Sequence, residues 1–130
     1  MSEPAAKNKG VLLDTSILIE LLRSNANVQR CIDTFLDNGY IIATSAVCVA
    51  ELYAGLRSGE EHPTDQLVAT LDCLPLTSHI ARQAGEIKAA RSKVGRTHGI
   101  IDMMIAATAL EAGYSVATEN KRDFDLPGLE

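Results

Sequence analysis

The chain has 130 residues, of which 46% are hydrophobic and 22% are charged. This length suits one domain with a single core, and the composition argues against a disordered or fibrous protein. No apolar stretch approaches the length of a membrane span. The net charge of −5 argues against a protein that binds nucleic acid through a generally basic surface.

The N-terminal segment, residues 1–9, is polar and lacks the apolar centre of a signal peptide. We predict that it is a flexible leader and that residues 10–130 form the domain. The cysteines are odd in number and form no C-x-x-C pair, which favours free thiols and a reducing cytoplasm. They are Cys31, Cys48 and Cys73. The histidines do not have the spacing of metal ligands, and we expect them to be exposed: His62, His79 and His98.

The first half of the chain alternates between strand and helix patterns. An apolar run over 10–13 ends in Asp14 and precedes a helical pattern that extends to Leu22. A second helix is predicted over 28–36 and a strand over 40–44. Ser45 is predicted to cap a helix that runs from 46 to about 57.

The second half continues the alternation, with a short strand at which Pro75 indicates a sheet edge or a strand end. We predict helices over 64–71, 78–94 and 100–112, the second capped by Ser78 and the third ended by Gly113, and strands over 73–76 and 114–118. Strands that alternate with helices imply an α/β fold with a mostly parallel central sheet and helices on both faces. Ligands bind such sheets beyond the carboxyl ends of the strands.

Three acidic residues follow this rule. Asp14 ends the first predicted strand, where its alternative role is a helix cap. Asp102 opens a helix that is apolar almost all round, although the helix dipole alone also favours an acid there. If each helix follows its strand, these carboxylates and Glu51 meet at one end of the sheet.

Glu51 has only apolar or small neighbours one turn away on its helix, and no cation faces it. A carboxylate on such a face must be neutralised, hydrogen-bonded or bound to a metal, unless it reaches solvent from the edge of the buried stripe. Three clustered carboxylates would repel one another strongly without a cation. Mg²⁺ or Mn²⁺ suits them, because both ions prefer hard oxygen ligands.

Further polar residues lie at the predicted strand ends. Asn120 or Asp123 is a candidate fourth ligand, although Asp123 could instead form a surface ion pair with Lys121 or Arg122. We expect hydroxyl groups at the strand ends to hydrogen-bond the carboxylates or water. These residues are Thr15, Ser16 and Thr118.

A basic stretch leads into Asp102. Its cations could contact a nucleic acid backbone, and the alternative is the solvated face of a helix. They are Lys88, Arg91, Lys93 and Arg96, followed by His98.

Four motifs together resemble a PIN domain of the VapC toxin type. They are LDTSILI at 13–19, AELYAGL at 50–56, IDMMIAA at 101–107 and ATENKRDF at 117–124. They occur in the order of that family and extend the resemblance from Val11 to Phe124.

The resemblance implies an endoribonuclease with Asp14, Glu51 and Asp102 as its acids, Mg²⁺ as its cofactor and single-stranded or looped RNA as its substrate. It also implies a VapB-like antitoxin and a homodimer. Many members have a fourth acid in the last motif, where this chain offers Asn120 and Asp123 in different places. Metal-activated water would hydrolyse the phosphodiester to leave a 5′-phosphate and a 3′-hydroxyl.

Two alternative functions lie outside catalysis. A receiver-like signalling domain also gathers acids around Mg²⁺, but Leu12-Leu13 stand here where its paired acids would be, and the strand end Val116-Ala117-Thr118 has no lysine. A catalytically silent interaction module is the other alternative. Apolar residues of the first two helices exceed what a small core needs and could face a partner: Ile17, Leu21, Leu22 and Ile32.

Overall fold

The computed structural model describes residues 9–95 and 99–119. The predictions about the leader, except for Lys9, and about Arg96, His98, Asn120 and Asp123 lie outside these residues. The described strands form one parallel sheet with the order β3-β2-β1-β4. The strands are β1 (Gly10–Leu13), β2 (Ile41–Ser45), β3 (Asp72–Leu74) and β4 (Ser115–Ala117).

Six helices connect these strands in the described residues. They are α1 (Thr15–Leu22), α2 (Ala26–Asp37), α3 (Ala46–Ala54), α4 (Glu61–Ala69), α5 (Ser78–Lys93) and α6 (Ile100–Ala112). Contacts join α1 to α2, α3 and α4, whereas α5 packs mainly on α6. Right-handed crossovers in opposite directions along the sheet place these two groups on opposite faces. The predicted α/β fold is confirmed.

The core centres on β1 and α6. Strand β1 pairs with a strand on each side, with Leu12 opposite Ala43 and Val116, and its apolar side chains are fully buried. Helix α6 is buried from Ile105 to Ala109, as expected for a helix that is apolar almost all round. None of the helices in the described ranges is long and apolar enough to cross a membrane.

Several predicted boundaries are wrong by a few residues. Helix α3 ends at Ala54 because Gly55 caps it, and α4 begins before residue 64 because Pro63 fits the first turn of a helix. Strand β3 ends before Pro75, which has no amide hydrogen to continue the sheet. The cap of α5 is Thr77 and not Ser78, since the Thr77 hydroxyl accepts a bond of 3.1 Å from the Ile80 amide.

The expectation that every helix with a candidate acid follows a strand is wrong for Asp102. Helix α6 follows α5, so two successive helices connect β3 to β4. Because α6 leads into a parallel strand, its first turn still lies toward the carboxyl edge of the sheet. The strand order reverses at β1, and the crevice between β1 and β4 is the usual ligand position of such a sheet.

Candidate active site

Asp14 lies at the carboxyl end of β1, beside this crevice, and is only 5% exposed. Its Oδ1 atom accepts hydrogen bonds from the Ser16 hydroxyl at 2.5 Å and from the Ile17 amide at 3.3 Å, which caps α1. Its Oδ2 atom accepts a hydrogen bond from the Thr118 hydroxyl, just after β4. Asp14 is therefore a helix cap, as one of the two sequence interpretations held, and also a buried carboxylate that faces the crevice.

Two hydroxyl residues connect the ends of β1 and β4. The Asp14 amide donates to the Ala117 carbonyl at 3.1 Å, which continues the pairing of the two strands. The Ser16 hydroxyl accepts from the Glu119 amide at 3.2 Å while it donates to Asp14. Ser16 and Thr118 thus fix the orientation of the Asp14 carboxylate from opposite sides.

Glu51 lies on α3 and is half-buried. Its Oε1 atom accepts a 2.7 Å hydrogen bond from the Thr15 hydroxyl, at the first residue of α1. The sequence left open whether Glu51 is neutralised, hydrogen-bonded, bound to a metal or in contact with solvent, and in the structure it is hydrogen-bonded. Thr15 and Asp14 are neighbours in the chain, so this bond brings α3 to the end of β1 where Asp14 lies.

A cavity of about 50 Å³ separates the end of α1 from α3, and both Arg23 and Glu60 line it together with Glu51. The other lining residues are Ile19, Leu22, Leu52, Gly55 and Leu56. Arg23 caps the end of α1 and Glu60 precedes α4, so both charged residues reach this cavity from outside α3.

Asp102 lies in the first turn of α6 and is half-buried. A Cβ atom built on the cap residue Gly99 would lie 3.7 Å from its Oδ2 atom, so the carboxylate lies close to the beginning of the helix. Helix α6 contacts α3, the helix of Glu51. The three acids therefore occupy elements that meet at the carboxyl edge of the sheet.

The three acids are held by separate contacts in the described residues. In the ranges 9–95 and 99–119, no three His, Cys, Asp or Glu side chains are grouped closely enough to hold a metal ion. Hydroxyl donors engage Asp14 and Glu51 separately, and Asp102 belongs to a helix that follows a helix. Hard oxygen donors of this kind fit Mg²⁺, which often uses only one or two carboxylates and keeps several waters.

The described residues of the basic stretch differ in exposure. Lys88 and Arg91 are half-buried on the side of α5 that also contains the buried Ala84, whereas Lys93 is exposed. Helix α5 packs along α6, so these residues lie on a helix adjacent to that of Asp102.

The thiols and the described histidines match the predictions. All three cysteines are free, with Cys48 buried and Cys31 and Cys73 exposed. His62 and His79 are exposed.

The PIN domain family matches residues 11–127 of this chain. Ribonuclease VapC10 of Mycobacterium tuberculosis is 31% identical over 116 residues, which cover 89% of this chain and 86% of that protein. The tRNA(fMet)-specific endonuclease VapC of Shigella flexneri is 28% identical, with coverage of 90% and 91%.

Among solved structures, VapBC2 of Rickettsia felis bound to a DNA fragment from its promoter superposes with a TM-score of 0.79. That alignment covers 92% of this chain and 95% of the other, and at 21% identity it shows a shared fold. The family match, by contrast, spans nearly the whole chain and includes all four motifs noted in the sequence. This chain therefore belongs to the PIN domain family, and its relatives within that family are ribonucleases of the VapC type.

Proposed function

We propose that this protein is a divalent-metal-dependent endoribonuclease toxin, in which Asp14, Glu51 and Asp102 hold Mg²⁺ directly or through water. Mn²⁺ is the alternative ion. The main support is the Asp14 carboxylate, which is buried at the strand-order reversal and oriented by two hydroxyl groups and an amide. A buried carboxylate with this position and this orientation is typical of a metal ligand. A helix cap needs only the hydrogen bond from the amide, and here two hydroxyl groups also hold the carboxylate.

Each acid has a separate part in the proposed chemistry. A bound divalent ion would lower the pKa of water and offset charge on the phosphate oxygens. Asp14 would hold the ion at a fixed place, because Ser16 and Thr118 restrict its side chain. Glu51, held by Thr15, and Asp102, at the start of α6, would orient water toward the phosphodiester. Asn120 or Asp123 is proposed to complete the ligand set.

The proposed substrate is single-stranded or looped RNA, cleaved to leave a 5′-phosphate and a 3′-hydroxyl. The name of the Shigella relative, a tRNA(fMet)-specific endonuclease, supports a folded RNA with exposed loops. Arg91, Lys93 and Arg96 are proposed to contact the RNA backbone beside Asp102. Such contacts offset the unfavourable net charge of the chain, because a local row of cations attracts phosphate even on an acidic protein.

A VapB-like antitoxin is the proposed protein partner. An apolar cavity of about 250 Å³ opens between α1, α2 and α4, and Leu36 at its border is 54% exposed. Its other lining residues include Leu21 and Ile32, two of the residues that were expected to face a partner. The Rickettsia structure, which is of VapBC2, supports a partner of this class.

We also propose a homodimer, a cytoplasmic location and a domain that occupies residues 10–130. Apolar side chains are exposed at the connection between α5 and α6, which makes this end of the hairpin a candidate contact with a second copy. They are Val94, Ile100 and Ile101.

The test is cleavage of a mixed RNA pool by the purified protein with Mg²⁺, with Mn²⁺ and with EDTA, followed by mapping of the ends. We expect cleavage only with metal, and 5′-phosphate ends. Cleavage that persists in EDTA, or 2′,3′-cyclic phosphate ends, would contradict the proposed chemistry.

A further inference from the structure

A buried thiol lies next to the candidate active site and has no part in the proposed chemistry. Cys48 is on α3, one turn before Glu51, and its side chain is 0% exposed. Residues three apart on a helix lie on the same face, so the thiol and the Glu51 carboxylate are neighbours along α3.

Three hydroxyl side chains contact this thiol, one from α1 and two from the end of β2. They belong to Thr15, Thr44 and Ser45. Burial raises the pKa of the Cys48 thiol, and the contacts with the three hydroxyls lower it by a smaller amount. Cys48 is therefore a neutral, space-filling side chain at neutral pH.

Two of these hydroxyls are held by the backbone. The Thr44 hydroxyl donates to the Leu13 carbonyl at 2.8 Å, and the Ser45 hydroxyl accepts from the Cys48 amide at 3.0 Å as the cap of α3. The third hydroxyl, that of Thr15, donates to Glu51 Oε1 at 2.7 Å. The thiol thus contacts two hydroxyls that are bonded to the backbone and a third that donates to Glu51.

We propose that Cys48 is a positioning residue for Glu51, and that its thiol keeps the Thr15 hydroxyl directed at the Glu51 carboxylate. A threonine side chain has few allowed rotamers, and its choice among them depends on what occupies the adjacent space. A smaller residue at position 48 would leave a cavity into which Thr15 could rotate. Only the catalytic consequence of this contact rests on the proposed ribonuclease function.

The test compares Cys48→Ala and Cys48→Ser with Val47→Ala. Val47 is the adjacent residue on α3 and is 8% exposed, and residues next to each other on a helix do not share a face, so its truncation creates a core cavity without the proposed effect. We expect Cys48→Ala to lower kcat for RNA cleavage by about tenfold, as does loss of a group that orients a metal ligand. Cys48→Ser, which keeps a polar group of similar size, should retain most of the activity. Val47→Ala should leave kcat nearly unchanged even where it lowers the free energy of unfolding as much as Cys48→Ala does.

A double-variant cycle decides whether Cys48 acts through Thr15. Thr15→Val removes the hydroxyl but keeps the shape, so adding Cys48→Ala to it should cause no further loss of kcat. Independent losses that multiply in the double variant would overturn the proposal. Equal losses of kcat in Val47→Ala and Cys48→Ala would also overturn it.

A second measurement needs neither metal nor RNA. The Thr15 methyl resonance in the NMR spectrum of the free protein reports the rotamer of that side chain, and it should shift in Cys48→Ala but not in Val47→Ala. An unchanged resonance would overturn the positioning role. If the wild-type protein does not cleave RNA, the proposed function fails, while this comparison still decides whether Cys48 holds Thr15.

Discussion

Asp14 combines two tasks that are often assigned to different residues. One carboxylate oxygen caps α1, and the other accepts a hydrogen bond from Thr118 across the crevice. Because the cap uses only Oδ1, it leaves the carboxylate free to act as a metal ligand through its remaining lone pairs. The cap and ligand interpretations of this residue are therefore compatible.

We expect the two tasks to separate in Asp14→Asn and Asp14→Ala. Asn keeps an oxygen that accepts from the Ile17 amide and removes a buried charge, so the free energy of unfolding should stay constant or rise slightly. Ala removes the cap and should lower the free energy of unfolding by about 1–2 kcal/mol. Urea denaturation of both variants measures this, with the exposed Asp37→Asn as the control. Equal stability of the Asn and Ala variants would show that Asp14 does not cap α1.

The buried thiol of Cys48 should make stability depend on pH above neutrality. Its pKa in the folded protein is raised above the ordinary value of 9.0 by burial. The thiol therefore stabilises the fold fully below pH 9.0, and this contribution is lost as the pH rises toward the higher folded pKa. Unfolding free energies between pH 7 and 10.5 should fall more steeply for the wild type than for Cys48→Ser. If the unfolding free energies of the two proteins fall equally with pH, the pKa of Cys48 is not raised in the folded protein.

At the level of the elements, the start of β1 depends on a close contact with the residue before β4. A Cβ atom on Gly10 would lie 2.4 Å from the Tyr114 ring, which is closer than atoms can approach. Gly10→Ala should therefore destabilise the protein by about 1–3 kcal/mol. The control is Gly85→Ala within α5, where nothing lies within 4 Å and where alanine should stabilise the helix by about 0.5–1 kcal/mol. Thermal melts should shift in opposite directions, and a shared direction would contradict the packing described.

The end of α5 should contribute to RNA affinity rather than to turnover. Replacing Arg91 and Arg96 together with alanine is expected to raise KM and to weaken its salt dependence, because phosphate contacts release counterions. The kcat at saturating RNA should change much less. Arg30 on α2 and Arg57 between α3 and α4, both exposed, provide a matched double variant. An unchanged KM and salt slope in the Arg91 and Arg96 variant would mean that RNA enters from another side.

At the scale of the whole molecule, the sequence predicts the order of strands and helices well, because each signal is local. Gly113 ends α6 and Asp14 ends β1 where the sequence placed them. The Thr15 to Glu51 bond and the cavity that Arg23 and Glu51 share were not predictable from spacing, because they join residues that are far apart in the chain. The same holds for the spacing of the acids: the sequence indicates which elements carry them, whereas how closely their side chains approach one another depends on how the helices pack.

The apolar cavity between α1, α2 and α4 should bind the antitoxin, so changes there should affect inhibition but not catalysis. We expect expression of this chain alone to arrest growth, and co-expression of a cognate antitoxin from the neighbouring small reading frame to relieve the arrest. Leu36→Lys places a charge at the exposed border of the cavity, so growth should stay arrested even with the antitoxin present. If the antitoxin relieves growth arrest equally for the wild type and for Leu36→Lys, it binds elsewhere on the protein.

The central claim is that a metal held by the acids at the end of β1 is required for RNA hydrolysis. The most direct test is the rate of cleavage of one defined RNA as Mg²⁺ is titrated, for the wild type, Asp14→Asn and the control Asp37→Asn. We predict saturable activation by Mg²⁺ and full inhibition by EDTA for the wild type and the control, and no cleavage by Asp14→Asn at any Mg²⁺ concentration although its fold is intact. Wild-type activity in folded Asp14→Asn, or cleavage without metal, would contradict the account.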